Sequence, residues 1–484
     1  MKKNILLPIL AFVVMSCALS AQDITVKRPA VDLYQDTWVA TDALGRTMPG
    51  YDAVGPVKTD QRRVVGIFYI TWHTQNLANM PAPYDADVTM VLQADPNARF
   101  QADNPNWKRG SYHWGEPEMG YFLSQDEWVI RKDMSMLSDA GVDVLVLDVT
   151  NAVRYWDEWE VLFSTMEKMR EEGNNTPQFC FWAFNGEVIT VVQQLYERIY
   201  KENKYPDLWF YWDGKPLLLY NADPVHDANG GHSAYKDGKH DYSDEVKNYF
   251  TLRNMWWGYY EWAGKRFIGT EDNWSFGYSM ADSRIKSMTP EQLASKHDGK
   301  IEEVAVTPAQ HPVTMTDVPM GVGKSWSKRD GEPKLNEYDL PDSAYVPWLG
   351  RKVSDPEGYG IYFQERWDDA LAANPQFLYL NDWNEWTAGK YNGDVMWLGR
   401  KNPFMFVDQY NAEFNRTIQP MKGGYTDNYY MQMAQNIRRY KGARPIPVNR
   451  HIHKMSVDGS FADWDRIDVV YRDTKGDVFH RDAK

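Results

Sequence analysis

Phe377-Leu378-Tyr379-Leu380-Asn381-Asp382-Trp383-Asn384-Glu385-Trp386-Thr387-Ala388-Gly389 opens as a strand and closes as a cluster of reactive and polar side chains. Four apolar residues in a row predict a buried strand, and they run directly into two carboxylates, two amides and two indoles. A strand core has no use for Asn381, Asp382, Asn384 or Glu385. Burying a neutral polar group unpaired costs on the order of 2–7 kcal/mol, and a charge costs more. These side chains are therefore expected to face a polar cavity or one another.

The same grammar recurs upstream. Val64 to Ile70 is a buried-strand pattern ending in Thr71-Trp72-His73, Val142 to Leu147 ends in Asp148-Val149-Thr150-Asn151, and Phe179 to Phe184 ends in Asn185-Gly186-Glu187. Helical patterns lie between them. Ser124 to Glu127 has the spacing of a capping box, and Ile130, Met134, Leu137 and Ala140 follow at helical intervals. Trp156, Trp159, Leu162, Phe163, Met166 and Met169 share one helical face, and Val191, Val192, Leu195 and Ile199 another. Pro216 to Tyr220 reads as a strand joined in a hairpin to Leu208–Trp212 through Asp213-Gly214-Lys215. Shorter strands are expected at 249–253 and 304–306, a helix around Tyr362 to Leu371, and closing helices over 405–415 and 428–440. Strand and helix alternation, with polar residues gathered at the carboxyl ends of strands, predicts an α/β fold of the (β/α)8 TIM-type barrel. A doubly wound open sheet is the alternative, but no Gly-rich phosphate loop follows the first strand.

The bulk properties bound the rest. A chain of 484 residues suits one large domain with an accessory piece. The net charge of -14 and the absence of a basic stripe argue against a nucleic-acid partner. With 21 Trp and 30 Tyr, the chain has more aromatic surface than its core requires, and flat rings with polar edges suit a polysaccharide or oligosaccharide. Residues 1–21 pair a basic start with an apolar run too short for a folded membrane anchor, the pattern of an export signal. Val14-Met15-Ser16-Cys17 resembles the lipobox of bacterial lipoproteins, which implies an exported outer-membrane or periplasmic protein tied to the membrane by a lipid on Cys17. Cleavage after Ala21 is the alternative. Cys180 then stands alone, so an intrachain disulfide is not expected. Residues 22–60 read as a linker and N-terminal wrap, 61–440 as the barrel, and 447–484 as a short β-rich C-terminal extension with Asp-Gly turns, resembling part of a carbohydrate-binding module.

Glu385 is the first candidate for a catalytic carboxylate, with Asp148, Glu187 and Asp382 as candidates for its partner, because acid–base work by carboxylates needs two of them, one to give a proton and one to take it or attack. Neighbouring side chains on an extended strand point to opposite faces, so Asp382 and Asn384 are not both expected to share a face with Glu385. Trp72, Trp383 and Trp386 are candidate ring platforms; His73, Asn151, Asn185 and Asn381 are candidate hydroxyl-binding groups. The loop from Asp223 to Asp241 mixes histidine and aspartate, but neither H-E-x-x-H nor C-x-x-C spacing supports zinc. No metal or obligatory cofactor is expected; calcium on Asp and backbone carbonyls is the one ion the loop admits, unsupported by spacing.

Trp383-Asn384-Glu385-Trp386 after a late strand, downstream of Phe68 to Trp72 and of Leu147-Asp148, resembles the glycoside hydrolase family 71 and 99 group over roughly residues 60 to 440. The resemblance implies a (β/α)8 barrel cleaving glycosidic bonds, often α-linked, inside a complex polysaccharide. In the family 99 pattern a second Glu follows the first by three residues; here Ala388 holds that place. A carboxylate from another strand is then needed for catalysis, and without one the chain is a non-catalytic surface glycan-binding protein. A metal-dependent esterase or sulfatase lacks its ligand spacing.

Overall fold

The computed structural model describes residues 34–74, 87–98, 101, 103–107, 111–224, 241–262, 264–310, 313–314, 321–330, 341–397, 400–406, 412–467 and 469. The signal segment, Cys17, most of the Asp223–Asp241 loop and nearly all of 468–484 lie outside them.

Eight parallel strands run in chain order around a barrel. They are β1 Val64–Tyr69, β2 Val144–Val149, β3 Gln178–Ala183, β4 Lys215–Tyr220, β5 Thr251–Trp256, β6 Asn273–Ser275, β7 Lys300–Val306 and β8 Phe377–Leu380. Each ladders to its neighbour in parallel from β1 to β6, and β7 ladders through β8 back to β1. The remaining seam, β6 to β7, is bridged by side chains: Ser275 N donates to Glu303 Oε2 at 3.1 Å and Ala305 N to the Tyr278 hydroxyl at 3.1 Å. This is the predicted (β/α)8 barrel. Strands buried on both faces read as unbroken apolar runs, and all six residues of β2 are buried.

Helices α1 Glu127–Ala140, α2 Trp156–Glu171, α3 Val188–Leu195, α4 Asp244–Tyr249, α5 Ser283–Lys286, α6 Pro290–Leu293, α7 Ile361–Ala373 and α8 Asn428–Lys441 accompany the strands. The capping residue of α1 is Asp126, not Ser124. The Asp126 carboxylate accepts from Trp128 N at 3.0 Å and Val129 N at 3.4 Å, while Ser124 pairs with the backbone of His73. The expected helix over 405–415 is also corrected. Met405 and Phe406 end a strand, Arg400–Phe406, that pairs antiparallel with Thr387–Trp397, and 412–414 form bends. Ladder hydrogen bonding to the preceding arm outweighs a weak helical period there.

The base of the barrel is closed by charge and indole. Arg253 donates to both oxygens of Glu302 at 2.7 Å, and Trp212 and Trp274 add their indole N–H groups at 2.7 and 2.8 Å. Burial pushes the Glu302 carboxyl up, but these four bonds outweigh it and hold it below its usual range. Gly66 leaves room for the Phe377 ring, since a Cβ there would stand 2.5 Å from it.

Residues 34–60 tie the helices together at this end: Trp38 Nε1 donates to Asp139 O at 2.8 Å, and Asp36 pairs with Arg444. Between 447 and 467 the described chain carries one regular element, a 3-10 turn, Ala462–Arg466.

Candidate active site

At Leu380 the last barrel strand stops, and the next six residues are stitched into the mouth one backbone bond at a time. Asn381 N donates to Val306 O, Asp382 N to Arg416 O and Trp383 N to Phe68 O, at 3.1, 3.2 and 2.8 Å. Asn384 acts as a substitute strand partner: its amide accepts from Ile70 N at 2.8 Å and donates to Ile70 O at 3.1 Å. The Asn381–Asp382 peptide is cis.

This path turns Glu385 and Asp382 toward one guanidinium. Arg416 Nη2 donates to Glu385 Oε2, and Arg416 Nε lies 3.6 Å from Asp382 Oδ2. Asp382 Oδ1 accepts from Glu385 N at 3.1 Å, and its side chain is also hydrogen-bonded with those of Glu385 and Thr417. Glu385 is 2% exposed and Asp382 0%. Burial raises the Asp382 carboxyl above its ordinary range, against the pull of Arg416. One cation facing two buried carboxyls is electrically balanced when the pair keeps one proton. Asn384, meanwhile, is turned away to β1.

The other predicted residues are placed unequally. Asp148 is buried at the end of β2, where its Oδ1 accepts from Thr150 N at 2.8 Å. Burial holds the Tyr379 hydroxyl well above its ordinary pKa, with the charges of Arg416, Asp382 and Asp148 acting on it in turn. Glu187 stands on the rim at the start of α3, 45% exposed, with Arg154 at 3.9 Å. Asn151 is exposed beside it, and Asn185 is half-buried. Asn381 is buried and donates to Phe276 O at 3.1 Å. Trp72 and His73 are buried at the end of β1, and both ring nitrogens of His73 lack a hydrogen-bond partner among the described residues. The His73 ring lies 6.2 Å from that of His113, and burial followed by this neighbour keeps its pKa well below the ordinary value.

Trp383 and Trp386 are fully buried, so the structure places them as packing residues and not as open ring platforms. Trp386 stacks on Trp114 at 4.9 Å and bonds Gln419, and Trp383 meets Tyr430 edge-on at 6.2 Å. Their contribution is to hold the 381–386 loop. Gln419 also donates to Asp133 on α1 at 2.6 Å, and Asp133 accepts from Tyr69 at 3.0 Å. Burial pushes Asp133 up to about 7 despite these bonds.

Sequence reasoning missed the segment that completes the site. Glu413, Asn415, Arg416, Thr417 and Gln419 are all buried. Lys324, also fully buried, donates to Asn415 Oδ1 at 2.8 Å and lies 3.9 Å from the ring centres of Tyr425 and Tyr429. The one available signal was a run of polar residues, Glu413 to Gln419, broken only by Phe414 and Ile418.

Among the described residues, one trio could hold a metal ion: Asp272, His297 and Glu302, at the base of the barrel. Arg253 already supplies the positive charge there, 3.6 Å from Asp272 and hydrogen-bonded to Glu302. A cavity of about 480 Å³ lies near the C-terminal ends of α1 and α8, lined by Asp36, Ala140, Ile437 and Arg438 among others, and no predicted site residue borders it.

No family model matches the chain, and no curated protein matches it. Two solved structures of a GH99 endo-alpha-mannosidase from Bacteroides thetaiotaomicron are similar, one in complex with Bis-Tris propane. They show 14% and 15% sequence identity and TM-scores of 0.41 and 0.40, each covering 78% of this chain and 98% of the solved chain.

Proposed function

We propose that this chain is a glycoside hydrolase acting within a complex polysaccharide, with Glu385 and Asp382 as its carboxyl pair. The observation that carries the reading is the pair itself: two buried carboxyls on the Arg416 guanidinium at the carboxyl end of a barrel strand, the face where such barrels carry their chemistry. The Arg416 guanidinium bonded to Glu385 Oε2 suits a nucleophile or base at Glu385. Burial favours the protonated form of Asp382, and its hydrogen bond to Glu385 sets it beside that carboxyl and not across the glycosidic bond from it, so Asp382 tunes Glu385. Asp148, buried at the end of β2, is the candidate for the carboxyl across the bond. The resemblance of the W-N-E-W run points to α-linked substrates. Export with a lipid on Cys17 would set the enzyme where extracellular glycans are met.

A second reading has its own support. Glu385 is closed in by Arg416, and Ala388 stands where the family 99 pattern has its second acid. Both favour a non-catalytic glycan-binding protein. Oligosaccharide release from plant, algal and host polysaccharides separates the two. Glu385→Gln and Asp382→Asn are expected to lose at least about a hundredfold in release, the scale of acid–base catalysis, while retaining glycan affinity. Unchanged release by Glu385→Gln removes Glu385 from the chemistry, and glycan retention without release by the unaltered chain supports the binding protein.

A further inference from the structure

The cation shared by Asp382 and Glu385 sits on irregular backbone. Arg416 lies within 412–420, which forms neither helix nor strand, so no ladder of hydrogen bonds sets its direction. Ordering such backbone together with a long side chain costs conformational entropy, which contacts elsewhere must offset.

Lys324 makes those contacts on both sides of Arg416. Its backbone N donates to Glu413 O at 2.9 Å, and its Nζ donates to Asn415 Oδ1 at 2.8 Å. Ser325 gives its N and Oγ to the Glu413 carboxyl at 2.9 and 2.8 Å, and Gly323 admits that carboxyl, since a Cβ there would stand 2.3 Å from Oε1. Beyond Arg416, the ammonium lies 3.9 Å from the centre of the Tyr425 ring, whose hydroxyl donates to Thr417 O at 3.0 Å and Gln419 O at 3.2 Å. Tyr429 presents its ring to the same ammonium at 3.9 Å and bonds Glu357 O. One side chain thus grips 413 and 415 directly, and 417 and 419 through Tyr425.

A wholly buried ammonium is costly: burial pulls its pKa well below the ordinary value, against the charges of Glu413, Asp382 and Glu357. An apolar side chain of that length would fill the space without this penalty. What it could not do is bond Asn415 or attract two phenol rings.

We propose that Lys324 is a positioning residue, which sets the Arg416 guanidinium on Asp382 and Glu385 and acts on the reaction through that guanidinium. The proposal rests on the glycosidase reading and adds the residue that keeps its charges in register. Lys324→Met is the decisive variant, because a thioether suits the two phenol rings and the ammonium alone is lost. In oligosaccharide release by the full chain, kcat is expected to fall about tenfold or more with KM within about twofold, the signature of reacting groups set out of place. In urea unfolding, the unaltered chain, Lys324→Met, Arg416→Leu and the double variant form a cycle. The double variant is expected to lose less stability than the two single losses added together, since both residues stabilise one arrangement of 413–419.

Unchanged kcat in Lys324→Met overturns the proposal, as does a rise in KM alone, which would set Lys324 against the substrate. Unfolding losses that simply add overturn it too, by showing two independent structural roles. Should Lys324→Met not unfold cooperatively, Asn415→Ala, which removes the acceptor and keeps the ammonium, takes its place in both measurements with the same expectations. An unaltered chain that releases nothing ends the glycosidase reading, and the unfolding cycle then decides the positioning by itself.

Discussion

Arg416→Leu tests the site most directly, because it removes a cation that Asp382 and Glu385 share and leaves the rest of the loop in place. Both carboxyls are almost wholly shielded from water, so neither can recover its hydration where it stands. Breaking a buried ion pair from one side costs about 3–5 kcal/mol. With two carboxyls abandoned, the upper part of that range is expected at pH 7.5. The cost must depend on pH. Without the guanidinium, burial outweighs the hydrogen bonds that remain to Asp382 and raises its folded pKa further above the unfolded one. A group raised in that way contributes its full stability below the unfolded carboxylate pKa, near 4, and loses it as pH rises through the folded value. The gap between the unaltered and Arg416→Leu chains should therefore be widest at pH 7.5 and narrow steadily toward pH 5. Urea unfolding at a series of pH values measures it, and Arg416→Lys, which keeps the charge without the fork, should fall between the two. A Leu variant as stable as its parent at pH 7.5, or a gap indifferent to pH, refutes the shared-guanidinium arrangement.

Asn384→Leu should cost about 2–4 kcal/mol in urea unfolding, since it strands the N–H and C=O of Ile70 in the interior at about 1–3 kcal/mol for each orphaned group; a loss under about 1 kcal/mol would mean that the stitch to β1 is dispensable. Glu413, pushed up to about 7 by burial, accepts from Ser325 N and Oγ, bonds that a glutamine can reproduce. Its folded pKa is raised, so its contribution is lost as pH rises through about 7. Glu413→Gln should consequently gain on the unaltered chain between pH 6 and pH 8.5 in unfolding temperature, and a constant difference would argue against a buried titrating acid.

The barrel was largely legible in the chain because its information is local. A strand covered on both faces must be apolar along its length, so β1, β2, β3 and β8 announce themselves as runs, and the helices between them repeat at helical intervals. β6 did not, because three residues, Asn273–Ser275, are too few to show a period. The capping residue of α1 was misread for a related reason: Ser124 and Asp126 both suit that role, and the contact of Ser124 with His73 decided between them.

By itself the order of residues determined that Glu385 and Asp382 would follow a buried strand and need partners, since no apolar core tolerates them bare. Tertiary structure alone decided who those partners are. Arg416 comes 31 residues after Glu385, and Thr417, which meets the Asp382 side chain, comes with it, with no periodicity to link them. Burial energies depend on each residue and its near neighbours and leave a trace in the local pattern. Charge pairing depends on distances in space, which come into being only when the barrel closes.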